Sequence, residues 1–502
     1  MNHGYGIDFG TTNSLLAGFS DTDGIFTEAR KTESFTHSET GLPHPSVVRY
    51  FDQDRPPQVG KEAKEQMFNA GLPGQGLFFK SIKRDLAKYD NKKLNDGSSK
   101  ETWKIASEIF KHLKTEFYEL SDRYKRESPL NEAVVTVPVD FDGIGRLKVS
   151  KAMKEAGIKP KAFVHEPFAA LIGHHYNFET KLEHLAGKRI LVFDWGGGTL
   201  DLCLAEISKD GARIYELGND GISDRAGDDF DEKILDHLVA EFRNENAQDD
   251  FEINAKTRQR LLELCEKAKK DLSKTDIVAL ILPNFYDSRP LDTDLKETTF
   301  SGLIDSEIEA AENCINRLLK RTRLDTTQID EVLLAGGTSY IPAVRSRLET
   351  IFGARVKLTR NPSTVIAEGA AIVAYENWKL YNHSDISVKL SDGTDFIILE
   401  NGTELIPENS KPFTFTCVDS RNQMAHLLFS HRQVAGDEVF LPLSQLSVPT
   451  FMEEARYKNL DRIHVEFSIT NEGILDCRAK SSSTGAIVER RIHKLTTGLK
   501  IH

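Results

Sequence analysis

Two short segments place an acid, glycines and threonines where an apolar run turns back on itself: Ile7-Asp-Phe-Gly-Thr-Thr-Asn13 and Phe193-Asp-Trp-Gly-Gly-Gly-Thr-Leu-Asp201. Glycine lacks the Cβ that keeps an anion off the backbone. Gly10, Thr11 and Thr12 in one tip, and Gly196, Gly197, Gly198 and Thr199 in the other, can therefore aim several N–H groups at phosphate oxygens. Asp8 and Asp194, which close the two strands, would repel phosphate if left alone. A cation between them removes the conflict, and Mg2+ bridges carboxylates and phosphates while keeping several waters. One such tip is an ordinary turn, but the matching pair predicts two related halves that face one ligand.

A third turn, Leu333-Leu-Ala-Gly-Gly-Thr-Ser-Tyr-Ile341, follows a strand-like run and precedes a helical stretch opening near Pro342. Gly336, Gly337 and Thr338 sit where free N–H groups at a helix start favour anions or polar ligand groups. No G-x-x-x-x-G-K-[ST] occurs there, nor a dinucleotide fingerprint with its acidic partner, so P-loop enzymes and nicotinamide dehydrogenases are set aside.

The elements that must carry these turns read as alternating strands and helices from Tyr5 to about Tyr375, an α/β pattern. Strands are predicted at Ala133–Val137, Arg189–Phe193 and Glu331–Ala335. A helix is predicted from Arg258 to Ser273, where Leu261, Leu264, Cys265, Ala268 and Leu272 form one apolar stripe. A second helical pattern runs from Trp103 to Tyr124, after a polar segment, Tyr89 to Lys100, that reads as a loop. Beyond about Lys379 the texture changes to short β-branched or aromatic runs, among them Ile386–Leu390, Phe413–Cys417 and Ile463–Ile469. These predict a compact all-β unit. The division is an α/β unit over residues 1–380 and a β-sandwich over residues 385–500.

The chain has 502 residues, 39% hydrophobic, which is too long for a single core. Its net charge of −12 argues against nucleic acid or an anionic membrane as partner. No apolar run approaches the roughly 20 residues of a spanning helix, and the start lacks a secretion signal, so a cytoplasmic protein is expected. The five cysteines are scattered, with no C-x-x-C pair and no histidine at ligand spacing, which speaks against disulfide scaffolds and zinc modules.

These three turns, in this order, resemble the nucleotide-binding domain of the heat shock protein 70 chaperone family, within the superfamily of actin and sugar kinases. Further segments are similar: Val134 to Phe141, His165-Glu-Pro-Phe-Ala-Ala170, Gly227-Asp-Asp-Phe-Asp231, Cys265 to Ser273, Asn361-Pro362 and Glu368-Gly-Ala-Ala371. Ile463 to Gly485 is similar to the last long hairpin of the family's peptide-binding sandwich, a module that sugar kinases lack. The resemblance implies an actin-like, two-lobed ATPase domain followed by a β-sandwich, coupling ATP binding and hydrolysis to capture of unfolded or extended polypeptide. It implies ATP/ADP and Mg2+ as cofactors, with a J-domain co-chaperone and a nucleotide exchange factor among the partners.

Residue by residue, it implies that Asp8 and Asp194 hold Mg2+ and that Lys83 approaches the γ-phosphate. Glu166, Thr199 and Asp201 then orient ions or water. Gly227, Glu266, Lys269, Lys270, Ser273, Tyr340 and Ser363 join the glycine turns around the nucleotide. Several positions depart from the family pattern. Tyr340 stands where an arginine usually stacks on adenine, Lys270 where another often does, and Ser363 replaces an acid. The acidic, leucine-rich linker is not recognisable between Glu376 and Asp385, where Trp378, Leu380 and Tyr381 are the large apolar groups. No helical lid pattern follows the β-unit, and His426 falls where an aliphatic pocket residue is usual. A second reading is therefore a nucleotide-gated switch that holds one specific protein partner with little turnover.

Overall fold

The structure, a computed structural model, describes residues 3–21, 31–51, 55–67, 76–93, 99–120, 122–139, 141–223, 225–246, 253–417, 423–432, 440–450, 461–470, 472–493 and 495–501. Two sheets share one design. In the first, the hairpin His3–Phe9 and Asn13–Ser20 is extended on one side by the parallel strands Glu132–Val137 and Lys159–His165, and on the other by Lys31–Phe35. In the second, the hairpin Arg189–Trp195 and Leu200–Ile207 is extended by the parallel strands Glu331–Ala335 and Val356–Leu358, and by Arg213–Ile222. The duplicated hairpins of the sequence are thus duplicated sheets. Their central strands are buried almost throughout, as expected where helices cover a parallel sheet.

The helix Val365–Glu376 lies on the first sheet so closely that a Cβ on Gly6 would sit 2.2 Å from the Ala371 nitrogen. The same helix meets Glu166–His175, where a Cβ on Gly369 would fall 1.8 Å from the Ala169 carbonyl oxygen. Glycine is required at both places by backbone approach rather than by turn geometry.

After residue 385, two four-stranded antiparallel sheets share one apolar core. One runs Asp395–Leu399, Ile386–Lys389, Met424–Arg432, Phe440–Pro449; the other runs Lys411–Thr416, Arg462–Ile469, Leu475–Ser481, Ile487–Ile492. Val388, Phe429, Val448, Val465, Phe467 and Cys477 point inward on the period of two that the sequence carries.

Three elements differ from the sequence expectation. The polar segment before residue 101 is a small hairpin, Asn91–Lys93 with Ser99–Glu101. The helix expected from Arg258 begins earlier, at Ala255, because Asn254 caps it by accepting from the Thr257 N–H at 2.9 Å. The last strand, Thr497–Lys500, does not pair in the sandwich: it joins the second sheet between Arg213–Ile222 and Lys379–Asn382. Leu499 and Ile501 are buried in the core beneath that sheet, and Gly498 lies under the Tyr381 ring, where a Cβ would fall 2.5 Å from Cε1.

The connecting segment is consequently a strand. Lys379–Asn382 pairs with Thr497–Lys500, Tyr381 is buried, and His383 stacks on Tyr215 with ring centroids 4.4 Å apart. Burial, aided by Arg213, pushes the His383 imidazole from 6.5 down to about 4. The neutral ring is the form the fold prefers. Its contribution to stability is complete above the unfolded pKa of about 6.5 and lost as pH falls toward 4. Acidification from neutral pH to about 5 should lower the melting temperature less in His383→Gln than in the native chain. A pH series of thermal melts measures this.

Candidate functional site

The two hairpin tips face each other across a cleft of about 1400 Å3. Asp8, Gly10, Thr11 and Thr12 line it from one side, and Asp194, Gly196 to Thr199 and Asp201 from the other. The third turn supplies Gly336, Gly337, Thr338 and Tyr340, and Lys83, Glu166, Glu266, Lys269, Lys270, Ser273 and Ser363 complete the set. Of the residues singled out from sequence, Gly227 alone stands behind the wall. Its N–H bonds the Gly196 carbonyl at 3.2 Å and its own carbonyl accepts from Lys269 Nζ at 2.6 Å.

The glycine turns hold one another in place. Thr338 Oγ1 donates to the Gly196 carbonyl at 2.8 Å, and the Asp228 N–H donates to the Gly197 carbonyl at 2.7 Å. Gly336 adopts φ +74°, and a Cβ there would lie 2.5 Å from Asp194 Oδ1. Gly336→Ala should press on the Trp195 backbone and the Asp194 carboxylate and destabilise the fold by about 1 to 3 kcal/mol, the usual cost of a side chain forced into such a backbone conformation. Scanning calorimetry of the variant measures it.

At the floor, three carboxylates, Asp8, Asp194 and Glu166, lie within electrostatic reach of Lys83, and a fourth, Asp201, acts on Asp194. Asp8 accepts from Thr136 Oγ1 at 3.0 Å, and Thr199 Oγ1 donates to Asp201 at 2.7 Å. Lys83, buried on the helix Ile82–Lys88, pairs directly with Glu166, the first residue of the helix Glu166–His175. Burial, then the neighbouring Glu166 charge, pushes Asp8 up from 3.8 to about 6. Asp194 is raised well above the usual carboxylate range by burial, then by Glu166, Asp201 and Asp8. One ammonium cannot satisfy this much buried negative charge, and buried charge without a partner is costly. A hard dication bound by carboxylate oxygens fits the deficit. Thr12 Oγ1, buried without a hydrogen-bond partner and close to Gly197, adds an orphan polar atom on the same wall.

The outer part of the cleft carries ion pairs that join distant segments. Lys64, on the short helix Lys61–Glu65, reaches Glu266 at 2.9 Å, and Lys270 holds the other Glu266 oxygen at 2.7 Å. Burial works against the Glu266 carboxylate, but Lys64 and Lys270 outweigh it and bring its pKa down to about 2. Lys269 pairs with Asp231 at 2.7 Å. The Tyr340 hydroxyl donates to the Thr359 carbonyl at 3.3 Å, which leaves its ring at the cleft wall. Lys64, Arg84, which donates to the Ser223 carbonyl at 2.8 Å, and Asp228 are cleft residues that sequence reasoning misses. None lies in a glycine turn, and each meets a partner far away in the chain.

On the sandwich, Ala425, Leu427 and Phe429 point into the core while His426 is exposed, with Nδ1 2.9 Å from Ser447 Oγ. Leu428 shares that outward face and is 45% exposed. Asn422, in the same expected pocket segment, lies outside the described residues.

The helix Gly143–Glu155 joins the sandwich to the cleft wall. Arg146 is buried; Nε donates to the Glu472 carbonyl at 2.8 Å, Nη1 to the Phe141 carbonyl at 2.9 Å, and Nη2 to the Gly473 and His493 carbonyls at 3.5 and 3.4 Å. Ser150 Oγ donates to the Glu472 carboxylate at 2.8 Å. Phe141, Pro138 and Val139 themselves line the cleft. The family model of the Hsp70 protein matches residues 5–500, nearly the whole chain and both its α/β and β regions. The chain belongs to the Hsp70 family.

Proposed function

We propose that this Hsp70-family protein is an ATP-dependent chaperone that binds ATP with Mg2+ in the cleft, hydrolyses it, and couples the nucleotide state to polypeptide held by its sandwich. The observation that carries this reading is the convergence of Asp8, Asp194 and Glu166 on Lys83, with Asp201 beside Asp194, between two glycine tips. Asp8 and Asp194 would hold Mg2+, which when bound offsets charge on the phosphate oxygens. The N–H groups of Gly10 to Thr12 and Gly196 to Thr199 would cradle the phosphates. Lys83 would stabilise charge developing on the transferred phosphoryl group, an electrostatic role that a buried, fixed ammonium fills better than a solvated one. Glu166 holds Lys83 in position. Asp201, which accepts a hydrogen bond from Thr199, would orient water.

Toward the nucleoside, the helix bearing Glu266, Lys269, Lys270 and Ser273 offers a polar edge to ribose, and Tyr340 offers a ring to adenine. Polypeptide capture is supported by exposed Phe396, Ile397 and Leu428 on the sandwich, with Phe413 and Phe415 set edge-on to Phe396 at 5.5 Å. The two activities meet through Thr136, bonded to Asp8, and the segment that leads from it to Arg146.

ATP turnover measured with and without an unfolded polypeptide tests the reading. Stimulation is the expected result. Nucleotide binding without stimulation, combined with tight binding to a single folded partner, would instead favour the nucleotide-gated switch.

A further inference from the structure

The helix that begins at Glu166 in the cleft ends at His174 and His175, ten residues on and away from the nucleotide side. The strand Glu331–Ala335 starts beside that end. His175 Nε2 lies 2.6 Å from Glu331 Oε1, and one ligand-capable atom from each of His174, His175 and Glu331 lies within 4.8 Å of the others. The two adjacent imidazoles meet edge to face at 4.6 Å. A third imidazole, His184, on the turn Glu183–Leu185, has its centroid 5.6 Å from that of His175. An ion pair of His175 with Glu331 would account for two of these groups. It leaves His174 Nδ1 buried with no hydrogen-bond partner, a state that polar atoms in a fold seldom occupy.

We propose that His174, His175 and Glu331, with His184 as the fourth ligand, form a binding site for a divalent transition-metal ion of the zinc class. Imidazole nitrogens with one carboxylate oxygen match zinc and its neighbours, whereas Mg2+ and Ca2+ take oxygen ligands. Bonds of about 2.0 to 2.1 Å in a tetrahedron need ligand atoms about 3.3 Å apart. The separations among His174, His175 and Glu331, from 2.6 Å to within 4.8 Å, bracket that value, and His184, with its ring centroid 5.6 Å from that of His175, would turn toward them to complete the set. Arg360 and Lys188 lie within electrostatic reach and oppose a cation, and the Glu331 carboxylate oxygen supplies the one anionic ligand atom of the group.

The site is not one of the cysteine modules that the sequence spacing argues against. The strand that begins at Glu331 runs parallel to Arg189–Trp195, which carries Asp194, and brings Glu331 to the end of the Glu166 helix. A bound ion would tie the far end of the Glu166 helix to the second sheet, behind the cleft, and so restrain the two sheets relative to each other.

The test uses the full chain without a histidine tag, stripped with chelator and then titrated calorimetrically with ZnCl2 in the absence of nucleotide. The native protein should take up one ion per chain. His174→Gln/His175→Gln should weaken uptake by more than about 100-fold, beyond the 10- to 100-fold that loss of an outer-shell partner costs. His184 is exposed, so His184→Gln disturbs little beyond its ring contact with His175 and should also weaken binding. ADP binding by each variant reports that it is folded, and the visible spectrum of a four-coordinate Co2+ complex should be lost in the double variant. No zinc uptake by the native chain, or unchanged affinity in both variants, overturns the proposal.

Discussion

Lys83→Ala is expected to retain nucleotide binding while ATP turnover falls by about 100- to 1000-fold, the usual cost of one preorganised group facing developing charge. Lys83 is 3% exposed and is the cation that faces Asp8, Glu166 and Asp194 at the cleft floor. Its removal deletes the positive charge nearest the proposed γ-phosphate position and leaves Glu166 buried without its partner. That second effect is structural and must be separated from the first, because an uncompensated buried charge is destabilising. The double variant Lys83→Ala/Glu166→Gln removes it by neutralising the carboxylate. If Lys83 acts on the phosphoryl group, the double variant should melt closer to the native temperature and yet stay inactive. Single-turnover kinetics on both variants makes the comparison, and unchanged turnover in Lys83→Ala would remove Lys83 from the mechanism.

The second large effect concerns coupling. Arg146→Ala should abolish polypeptide stimulation of the ATPase while leaving the basal rate near native. The guanidinium serves three carbonyls of the sandwich side, Glu472, Gly473 and His493, and one of the cleft side, Phe141. A hydrogen bond to a charged group contributes about 1.5 to 3 kcal/mol, so losing the guanidinium shifts docking of the two regions by more than about tenfold. Burial lowers the Arg146 pKa to about 10 against the pull of Asp142 and Glu472, so it remains a cation at neutral pH. Ser150→Ala, which removes one bond to the Glu472 side chain, should act in the same direction and less strongly. Full stimulation in Arg146→Ala would mean that the coupling runs elsewhere.

What could be read from the sequence was whatever is written locally. Asp8, Asp194 and the glycines of all three turns stand within a few residues of one another, and the period-two strands of the sandwich carry their own burial pattern. The hairpin Ile277–Tyr286 with Arg289–Lys296 escaped because its turn takes positive φ at Asp287 and Ser288, and its irregular pairing before the turn does so at Asn284, all without the glycine that marks such positions. The final strand escaped for another reason: Thr497 to Lys500 is too short to declare its partner, and only packing of Leu499 beside Ile214 places it in the second sheet. In the cleft, Lys83 and Glu166 meet across 83 residues and Lys64 and Glu266 across 202. Such pairs have no spacing signal in a single chain. Lys83 was reached through family resemblance, and Lys64 not at all.

The linker shows the same limit. Trp378, Leu380 and Tyr381 do not form the family's leucine-rich segment, yet Trp378 and Tyr381 are buried and the strand Lys379–Asn382 is held by Thr497–Lys500. A connection that lacks the usual residues is secured by a strand that returns from the other end of the β region. The attachment of the β region to the α/β region therefore rests on that pairing as well as on Arg146.

The measurement closest to the central claim is a calorimetric titration of ATP into the protein with and without Mg2+, for the native chain and for Asp194→Asn. The paired carboxylates predict one ATP per chain, bound more tightly with Mg2+ in the native protein, and loss of that Mg2+ dependence in the variant. Absence of ATP binding by the native chain, or binding that Mg2+ does not affect, would contradict it.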